Sequence, residues 1–146
     1  MILYHGTNKK GYDGILRHGY ISVTNETNKR YETTKNGYIY VTSELNQAMD
    51  FSSRPSMIAK GYFIIVFEIE IDENQIQPDK DEEKWCSTFS NNGCRECYII
   101  NKNLFVGKEV KRVFYKEFSN KKVFDQYIQK VQNNEIIVND DEWKKI

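Results

Sequence analysis

The sequence predicts a domain of the α+β class. Three observations indicate this class: short β-branched and aromatic runs typical of strands, three segments with apolar residues at helical spacing, and an element order that begins strand, helix, strand, helix and then continues mostly with strands. The 146 residues, 39% of them hydrophobic and 14% aromatic, suffice for one core but hardly for two. We therefore expect a single domain over residues 1–146, with residues 133–146 as a C-terminal tail.

The first predicted elements are a strand and a short helix. Ile2–Tyr4 is apolar and suits a central strand, and His5-Gly6-Thr7 follows as a break, which places His5 at the end of the strand. The segment Lys10–His18 has apolar residues at helical spacing, and Gly19 follows where a left-handed cap would end the helix.

A polar stretch and a second strand–helix pair come next. Thr24–Asn36 is rich in Asn, Thr, Lys and Glu, which predicts a surface loop. Gly37–Thr42 is β-branched and aromatic, and Ser43 offers a side-chain oxygen to cap a following helix. This helix should end near Ser53, because Pro55 disfavours helical geometry at the residue before it.

The remaining elements are mostly strands. Gly61–Asp72 is the strongest strand, and its first half is apolar on both faces, which predicts a central position in a sheet. The acidic stretch Asn74–Lys84 contains a proline and predicts a loop. Two further strands are predicted at Arg95–Asn101 and Val110–Phe118, followed by an amphipathic helix at Lys121–Gln132.

Composition narrows the classes of function. Lys plus Arg and Asp plus Glu both number 21, so the chain has no net charge and lacks the broad basic field of a nonspecific nucleic-acid binder. The longest apolar run, Tyr62–Phe67, is far shorter than a membrane span. We expect no membrane insertion and, since no export signal is visible, a cytoplasmic location, which includes a host cell if the protein is a phage or effector protein.

The cysteines and histidines do not form a metal-binding pattern. Cys86, Cys94 and Cys97 are an odd number, and the two histidines, His5 and His18, lie far upstream. We expect three ordinary reduced cysteines and no metal site.

Three short segments carry a family resemblance: Tyr4-His5-Gly6-Thr7 after the first strand, Gly37–Thr42 leading into a helix, and Glu96 opening a late strand. Together they resemble the ADP-ribosyltransferase superfamily, in the branch with a His-Tyr-Glu triad that includes diphtheria-toxin-like and poly(ADP-ribose)-polymerase-like enzymes. The resemblance extends in element order from Ile2 to about Phe118. It implies a split β-sheet core with short flanking helices.

The resemblance also implies a binding site for NAD as co-substrate. In this family the histidine binds a ribose hydroxyl, the adjacent glycine holds the nicotinamide amide with its backbone, and two aromatic rings sandwich the nicotinamide. These roles fall on His5, Gly6, and Tyr40 with Phe51, and Thr7 would add a hydroxyl contact to the adenosine ribose. The chemistry is consistent, because glycine allows close backbone approach and aromatic faces attract a pyridinium cation.

The family's glutamate stabilises the cationic sugar that forms as nicotinamide leaves. Glu96 is the candidate for this role, since a fixed anion is needed where positive charge develops. Glu82, Glu83 and Glu109 are its competitors. The catalytic set implied by the resemblance is thus His5, Tyr40 and Glu96.

Two positions depart from the family's pattern. Polymerase-like members have a serine three residues before the second stacking aromatic, whereas this chain has Ala48, and we expect Ser43, Ser52 or Ser53 to compensate or the affinity to be weaker. Two residues before the glutamate, where arginine-modifying relatives have Glu and asparagine-modifying ones have Gln, this chain has Cys94. The acceptor therefore stays open, with arginine disfavoured.

The expected function is mono-ADP-ribosyl transfer from NAD to a macromolecular acceptor, protein rather than nucleic acid, with release of nicotinamide. The small size suits a bacterial or phage toxin or effector. Two alternatives remain. One is an RNA 2′-phosphotransferase-like enzyme, a branch that relies on Arg and His residues, but Arg17 and Arg54 are too isolated to support it strongly. The other is a module that binds a nucleotide or protein without turnover, which Ala48 favours. A local group of basic residues keeps a nucleic-acid acceptor open: Lys108, Lys111, Arg112, Lys116, Lys121 and Lys122.

Overall fold

The structure, a computed structural model, describes residues 1–25, 36–54, 61–79 and 97–146. This part of the chain forms three α-helices, nine strands and two short 3₁₀ helices at Glu73–Gln75 and Asp140–Glu142. The helices are α1 (Lys9–His18), α2 (Leu45–Ser53) and α3 (Lys121–Gln132). The strands are β1 (Ile2–Thr7), β2 (Tyr20–Ile21), β3 (Ile39–Thr42), β4 (Tyr62–Glu70), β5 (Gln77–Pro78), β6 (Cys97–Ile100), β7 (Leu104–Phe105), β8 (Val110–Phe118) and β9 (Trp143–Lys145). The α+β class is confirmed.

Seven strands form one antiparallel sheet in the order β5-β6-β3-β1-β4-β8-β9, and β2 and β7 form a separate two-stranded ribbon. β4 lies between β1 and β8 and pairs with both, as its apolar pattern predicts. Its interior residues Ile64 to Phe67 have no solvent exposure. The sheet therefore has its most protected strand beside β1, which carries the predicted histidine and glycine.

β1 and β3 are joined much less extensively than β1 and β4. Between β1 and β3, Tyr4 opposite Thr42 is the single registered pair in the described part of the chain. By contrast, β1 pairs with β4 from Ile2 to Thr7. The sheet thus consists of two parts, β5-β6-β3 and β1-β4-β8-β9, that meet at the Tyr4–Thr42 pair.

Helices cover both faces of this sheet. α2 and α3 pack on one face, which we call the α2 face, and α1 packs on the other. The core on the α2 face consists of Ala48, Met49, Ile64, Val66, Phe114, Phe118, Phe124, Val131 and Trp143. The core on the α1 face includes Leu3, Ile15, Ile39, Val41, Ile65, Phe67, Ile69, Ile100 and Val113. The single-domain expectation stays a prediction.

Several predicted boundaries differ from the structure. β1 does not break after Tyr4 but continues to Thr7, because its backbone stays paired with β4, and His5 therefore lies within the strand. α2 is preceded by Glu44 rather than by a Ser43 cap, and the Thr42 hydroxyl accepts the Glu44 amide hydrogen at 3.1 Å. In the predicted tail, the 3₁₀ helix leads into β9, which extends the sheet beside β8.

Other expectations are confirmed or lie outside the described residues. α1 ends at Gly19, whose φ of 84° is the predicted left-handed cap. α3 begins at Lys121, where the Asn120 side chain caps the Val123 amide. Residues 26–35 of the predicted surface loop lie outside the described residues, as do Cys86, Cys94 and Glu96.

Candidate functional site

His5 and Tyr40, two of the predicted site residues, are joined by a hydrogen bond. The His5 Nδ1 atom lies 2.9 Å from the Tyr40 carbonyl oxygen. A carbonyl only accepts, so Nδ1 carries the hydrogen and donates it. In the neutral imidazole this leaves Nε2 as the atom with an acceptor lone pair, which is the chemistry required to bind a ribose hydroxyl.

The backbone of Gly6 faces the side on which β1 and β3 separate. Met1 and Ile71 exchange both backbone hydrogen bonds, at 3.0 and 3.1 Å, which sets the alternation along β1. Odd-numbered residues therefore direct their backbone groups towards β4, and even-numbered residues direct theirs towards β3. Since the described pairing with β3 stops at Tyr4, the Gly6 amide and carbonyl point into the space beyond this pair. A planar carboxamide ligand would match this donor and acceptor.

Packing against α2 requires glycine at position 6. A Cβ at this position would collide with the Ala48 carbonyl oxygen and lie 3.3 Å from the Ser52 amide nitrogen. Gly11, in the first turn of α1, is under a similar steric constraint, because a Cβ there would collide with the Thr7 hydroxyl. Gly6 therefore allows α2 to lie directly on β1, whatever the site binds.

Tyr40 and the helix that carries Phe51 lie on the same face of the sheet. Opposed residues of an antiparallel pair share a face, so Thr42 lies on the face of Tyr4, and Tyr40, two residues away, does too. Both Tyr40 and Phe51 are half-buried, unlike the fully enclosed aromatics of the core. The Arg54 guanidinium lies 5.6 Å from the centre of the Phe51 ring. The two rings proposed to hold nicotinamide are thus presented on one side.

The hydroxyls of Ser52 and Ser53, next to Phe51, are hydrogen-bonded to backbone groups of the protein. Ser52 is 2% exposed, and its hydroxyl donates to the Thr7 carbonyl at 2.7 Å and accepts from the Ile65 amide at 3.0 Å. The Ser53 hydroxyl donates to the Asp50 carbonyl at 2.7 Å, within its own helix. These two hydroxyl hydrogens are therefore not directed to a nicotinamide amide, and the compensation expected for Ala48 is not provided by them in this structure.

Thr7 is buried where β1 meets α1. It is 3% exposed, and its Oγ1 packs against Gly11 in α1. Asn8, the next residue, caps α1 by accepting the Gly11 amide hydrogen at 2.7 Å. A contact from Thr7 to the adenosine ribose stays a prediction, and its observed contact is the junction of β1 with α1.

Of the four glutamates considered for the catalytic role, the structure describes Glu109. Glu96, Glu82 and Glu83 lie outside the described residues, whereas Cys97, the residue that follows Glu96, pairs with Thr42 at the start of β6. Glu109 is buried and accepts the Phe105 amide at 3.1 Å, with the Lys102 and Lys108 amines at 3.6 and 3.8 Å. These contacts give Glu109 a structural role in the turn between β7 and β8.

A polar cluster beside the site was not anticipated from the sequence. Glu68 is 8% exposed and receives two hydrogen bonds from the Arg112 guanidinium, at 2.8 and 2.9 Å. Tyr4 lies opposite Glu68 and stacks on Trp143 with ring centres 6.0 Å apart. Burial raises the pKa of the Tyr4 phenol, and the Glu68 charge raises it further while Arg112 opposes this. The charged residues that alternate along β4 and β8 could have indicated an ion pair. Which of them face each other depends on the strand register, however, and the sequence pattern does not give that register.

Metal ligation and membrane insertion find no support in the described ranges. There, no group of three or more His, Cys, Asp or Glu side chains is placed to hold a metal ion. No helix in these ranges is long and apolar enough to cross a bilayer.

No protein-family model matches the chain, and a search of curated proteins gives no significant match. Two solved structures are similar, protein CC0527 from Caulobacter crescentus and a double mutant of it, with TM-scores of 0.49 and 0.48. Each is 7% identical in sequence, and each alignment covers 88% of this chain and 99% of the other. Neither similarity bears on function, so the geometry of His5, Gly6 and Tyr40 is the basis for assigning one.

Proposed function

We propose that this protein is a mono-ADP-ribosyltransferase that uses NAD as co-substrate and transfers ADP-ribose to a macromolecular acceptor. The observation that carries the proposal is the His5–Tyr40 hydrogen bond, at the place where β1 and β3 separate and the Gly6 backbone is directed into the gap. Three residues singled out by the family resemblance thus lie on two neighbouring strands, with Gly6 and Tyr40 on the α2 face and the His5 side chain on the α1 face. The core is proposed to be the split sheet of that family, divided at the Tyr4–Thr42 pair.

Each of these groups matches one part of NAD. The Gly6 amide and carbonyl complement the nicotinamide carboxamide, and the faces of Tyr40 and Phe51 suit the pyridinium ring, with cation–π contacts worth about 0.5–2 kcal/mol. The acceptor nitrogen of His5 suits a ribose hydroxyl. The sandwich is supported by the shared face of Tyr40 and α2, on which Gly6 also lies.

The proposed reaction breaks the bond between the anomeric carbon of the ribose and the nicotinamide nitrogen. The electron pair of this bond goes to the nicotinamide, which leaves uncharged, while positive charge develops on the sugar. Glu96 is proposed to stabilise this charge, and removal of one preorganised electrostatic group from an active site typically costs about 10²–10³ in rate. The acceptor nucleophile then bonds to the anomeric carbon and gives up a proton to solvent or base.

The decisive experiment measures nicotinamide release from NAD by the purified protein, with and without cell lysate. We expect release that depends on lysate and falls by about 10²-fold or more in Glu96→Gln. Glu83→Gln is the matched control, because it makes the same change at a competing glutamate of the acidic stretch Asn74–Lys84, and it should keep wild-type activity. Circular dichroism spectra of the variants establish that folding is unchanged.

The possible results separate the assignments. Full activity of Glu96→Gln would remove Glu96 from the catalytic role, and loss in Glu83→Gln instead would transfer the role to that residue. Labelled NAD in the lysate reaction would show whether the label enters protein, as proposed, or nucleic acid.

One observation favours a second function, a domain that binds a nucleotide without turnover. Ala48 replaces the family's amide-binding serine, and the Ser52 and Ser53 hydroxyls donate to backbone carbonyls of the fold. Weaker contact to the nicotinamide amide would favour binding without cleavage. NAD binding in calorimetry together with no nicotinamide release, in buffer or lysate, would establish this function instead.

A further inference from the structure

A serine hydroxyl of α2 is hydrogen-bonded to two paired strands at the end of β1. Thr7 and Ile65 lie opposite each other, at a position where the alternation of β1 predicts direct bonding to β4. Between the Thr7 carbonyl and the Ile65 amide, the Ser52 hydroxyl accepts from the amide at 3.0 Å and donates to the carbonyl at 2.7 Å. The Ser52 hydroxyl of α2 is therefore bonded to both members of a β1–β4 pair.

This arrangement ties three elements together in a dry environment. Ser52 is 2% exposed and Ile65 has no exposure, so water cannot readily replace the hydroxyl. Loss of the hydroxyl would remove both hydrogen bonds that join α2 to this strand pair. The position of α2 on the end of β1 would then depend on packing alone.

The tie lies between the two parts of the proposed nicotinamide pocket. Phe51, one proposed stacking ring, directly precedes Ser52 in α2, and Gly6, the proposed amide-binding residue, directly precedes Thr7 in β1. The Ala48 carbonyl, one turn earlier in α2, is the atom that a Cβ on Gly6 would meet. Contact at Ala48 and hydrogen bonding at Ser52 therefore fix the register of α2 on β1 at two adjacent points.

We infer that Ser52 is a positioning residue for NAD: its hydroxyl sets the Gly6 backbone and the Phe51 ring at the separation that nicotinamide requires. The inference rests on the proposed function and deepens it, since Ser52 acts through its neighbours and touches no substrate. Its removal should weaken ground-state binding of NAD more than it slows the chemical step.

The test compares Ser52→Ala with Ser53→Ala. Ser53 is a matched control because it is also buried, in the same helical turn, and its hydroxyl donates to a carbonyl within α2. For Ser52→Ala we expect the Kd from calorimetry and the KM for NAD to rise about tenfold, with kcat at saturating NAD within about threefold of wild type. For Ser53→Ala we expect both constants to stay within about twofold.

A structural measurement runs alongside. In nuclear magnetic resonance spectra, Ser52→Ala should shift the Gly6 amide resonance and speed hydrogen exchange at the Ile65 amide, and Ser53→Ala should change neither. Ser52→Cys keeps a weak donor and acceptor at the same position and should give an intermediate Kd. If Ser52→Ala does not fold, Ser52→Cys replaces it in the comparison with the same expected direction.

The outcomes distinguish this inference from the proposed function. A folded Ser52→Ala protein that binds NAD with the wild-type Kd would overturn the positioning role and leave the proposed function intact. An equal loss of kcat and of kcat/KM, with Kd unchanged, would also overturn it. Wild-type protein that neither binds nor cleaves NAD would overturn the proposed function, and with it the role of Ser52 towards NAD.

Discussion

The His5 Nδ1 atom donates a hydrogen bond to the Tyr40 carbonyl oxygen across 2.9 Å, and this contact connects two strands where backbone pairing has stopped. The two ring nitrogens of His5 are assigned separate roles, one observed and one proposed. Its Nδ1–H holds β3 beside β1, and its Nε2 is the atom proposed to meet NAD. Substitutions that mimic one nitrogen but not the other can therefore test them separately.

We predict that His5→Asn keeps the fold but loses the ligand. The asparagine amide can supply a donor near the Nδ1 position but no group at Nε2, so stability should fall by less than about 1 kcal/mol while NAD binding weakens about tenfold or more. Calorimetry and urea unfolding measure the two effects. His18→Asn, at the exposed end of α1, is the control and should alter neither. Wild-type NAD affinity in His5→Asn would contradict the assignment.

Gly6→Ala should destabilise the protein by about 1–3 kcal/mol, because the added methyl group meets the Ala48 carbonyl and α2 must move away from β1. Gly14→Ala provides the opposite expectation. Gly14 lies within α1, and a Cβ added there would meet no other atom within 4 Å. Because alanine has a higher helix propensity than glycine, the substitution should stabilise the protein by up to about 1 kcal/mol. Thermal and urea unfolding measure both changes, and equal stability of the two variants would refute the close packing of α2 on β1.

Arg112→Met should cost about 3 kcal/mol, because Glu68 would be left buried without its partner. The double variant Glu68→Leu with Arg112→Met should recover most of this loss, since no unpaired charge remains. A double-mutant cycle in urea separates the terms. Lys111→Met, on the exposed neighbour of Arg112, is the control, with a change within about 0.5 kcal/mol. Additive single effects would show that the pair is not coupled.

The stabilising effect of Glu109 should depend on pH. Burial works against its charge, but the hydrogen bonds from the Phe105 and Glu109 amides and the charges of Lys102 and Lys108 together lower its pKa from the ordinary value of 4.5. A lowered pKa in the folded state contributes stability that is present above 4.5 and is lost as the pH falls through the lower, folded-state pKa.

Glu109→Gln should therefore be less stable than wild type at pH 7 by about 1 kcal/mol, and the difference should shrink as the pH falls below 4.5 and through the lower, folded-state pKa. Urea unfolding at a series of pH values measures this. Glu117→Gln, an exposed carboxylate on β8, should show no such trend. A difference that grows towards acidic pH would contradict a lowered pKa for Glu109.

The sequence predicted most elements, because their signals are local. The left-handed cap at Gly19 and the apolar pattern of β4 each depend on a few neighbouring residues, and both are confirmed. The extension of β1 to Thr7 was missed, because glycine and threonine are typical of a break and only pairing with β4 overrides that preference.

The contacts of the site depend on residues far apart in the chain. Glu68 and Arg112 meet across 44 positions, and Ser52 reaches Thr7 across 45. Such contacts follow from strand register and from the way a helix lies on a sheet, which the residue pattern alone leaves open. His5 and Tyr40 were selected by family resemblance, and the hydrogen bond between them was not predicted from the sequence.

Within residues 1–25, 36–54, 61–79 and 97–146, the seven-stranded sheet ends at β5 and β9, and these two edges bear on self-association. β5 is two residues long and contains Pro78, which has no amide hydrogen to offer, and β9 is three residues long and carries two exposed lysines, Lys144 and Lys145. Short edges with proline or lysine resist strand addition by a second molecule. β9 also shields the nine-residue β8, so a chain shortened before Trp143 would expose a long edge and tend to aggregate.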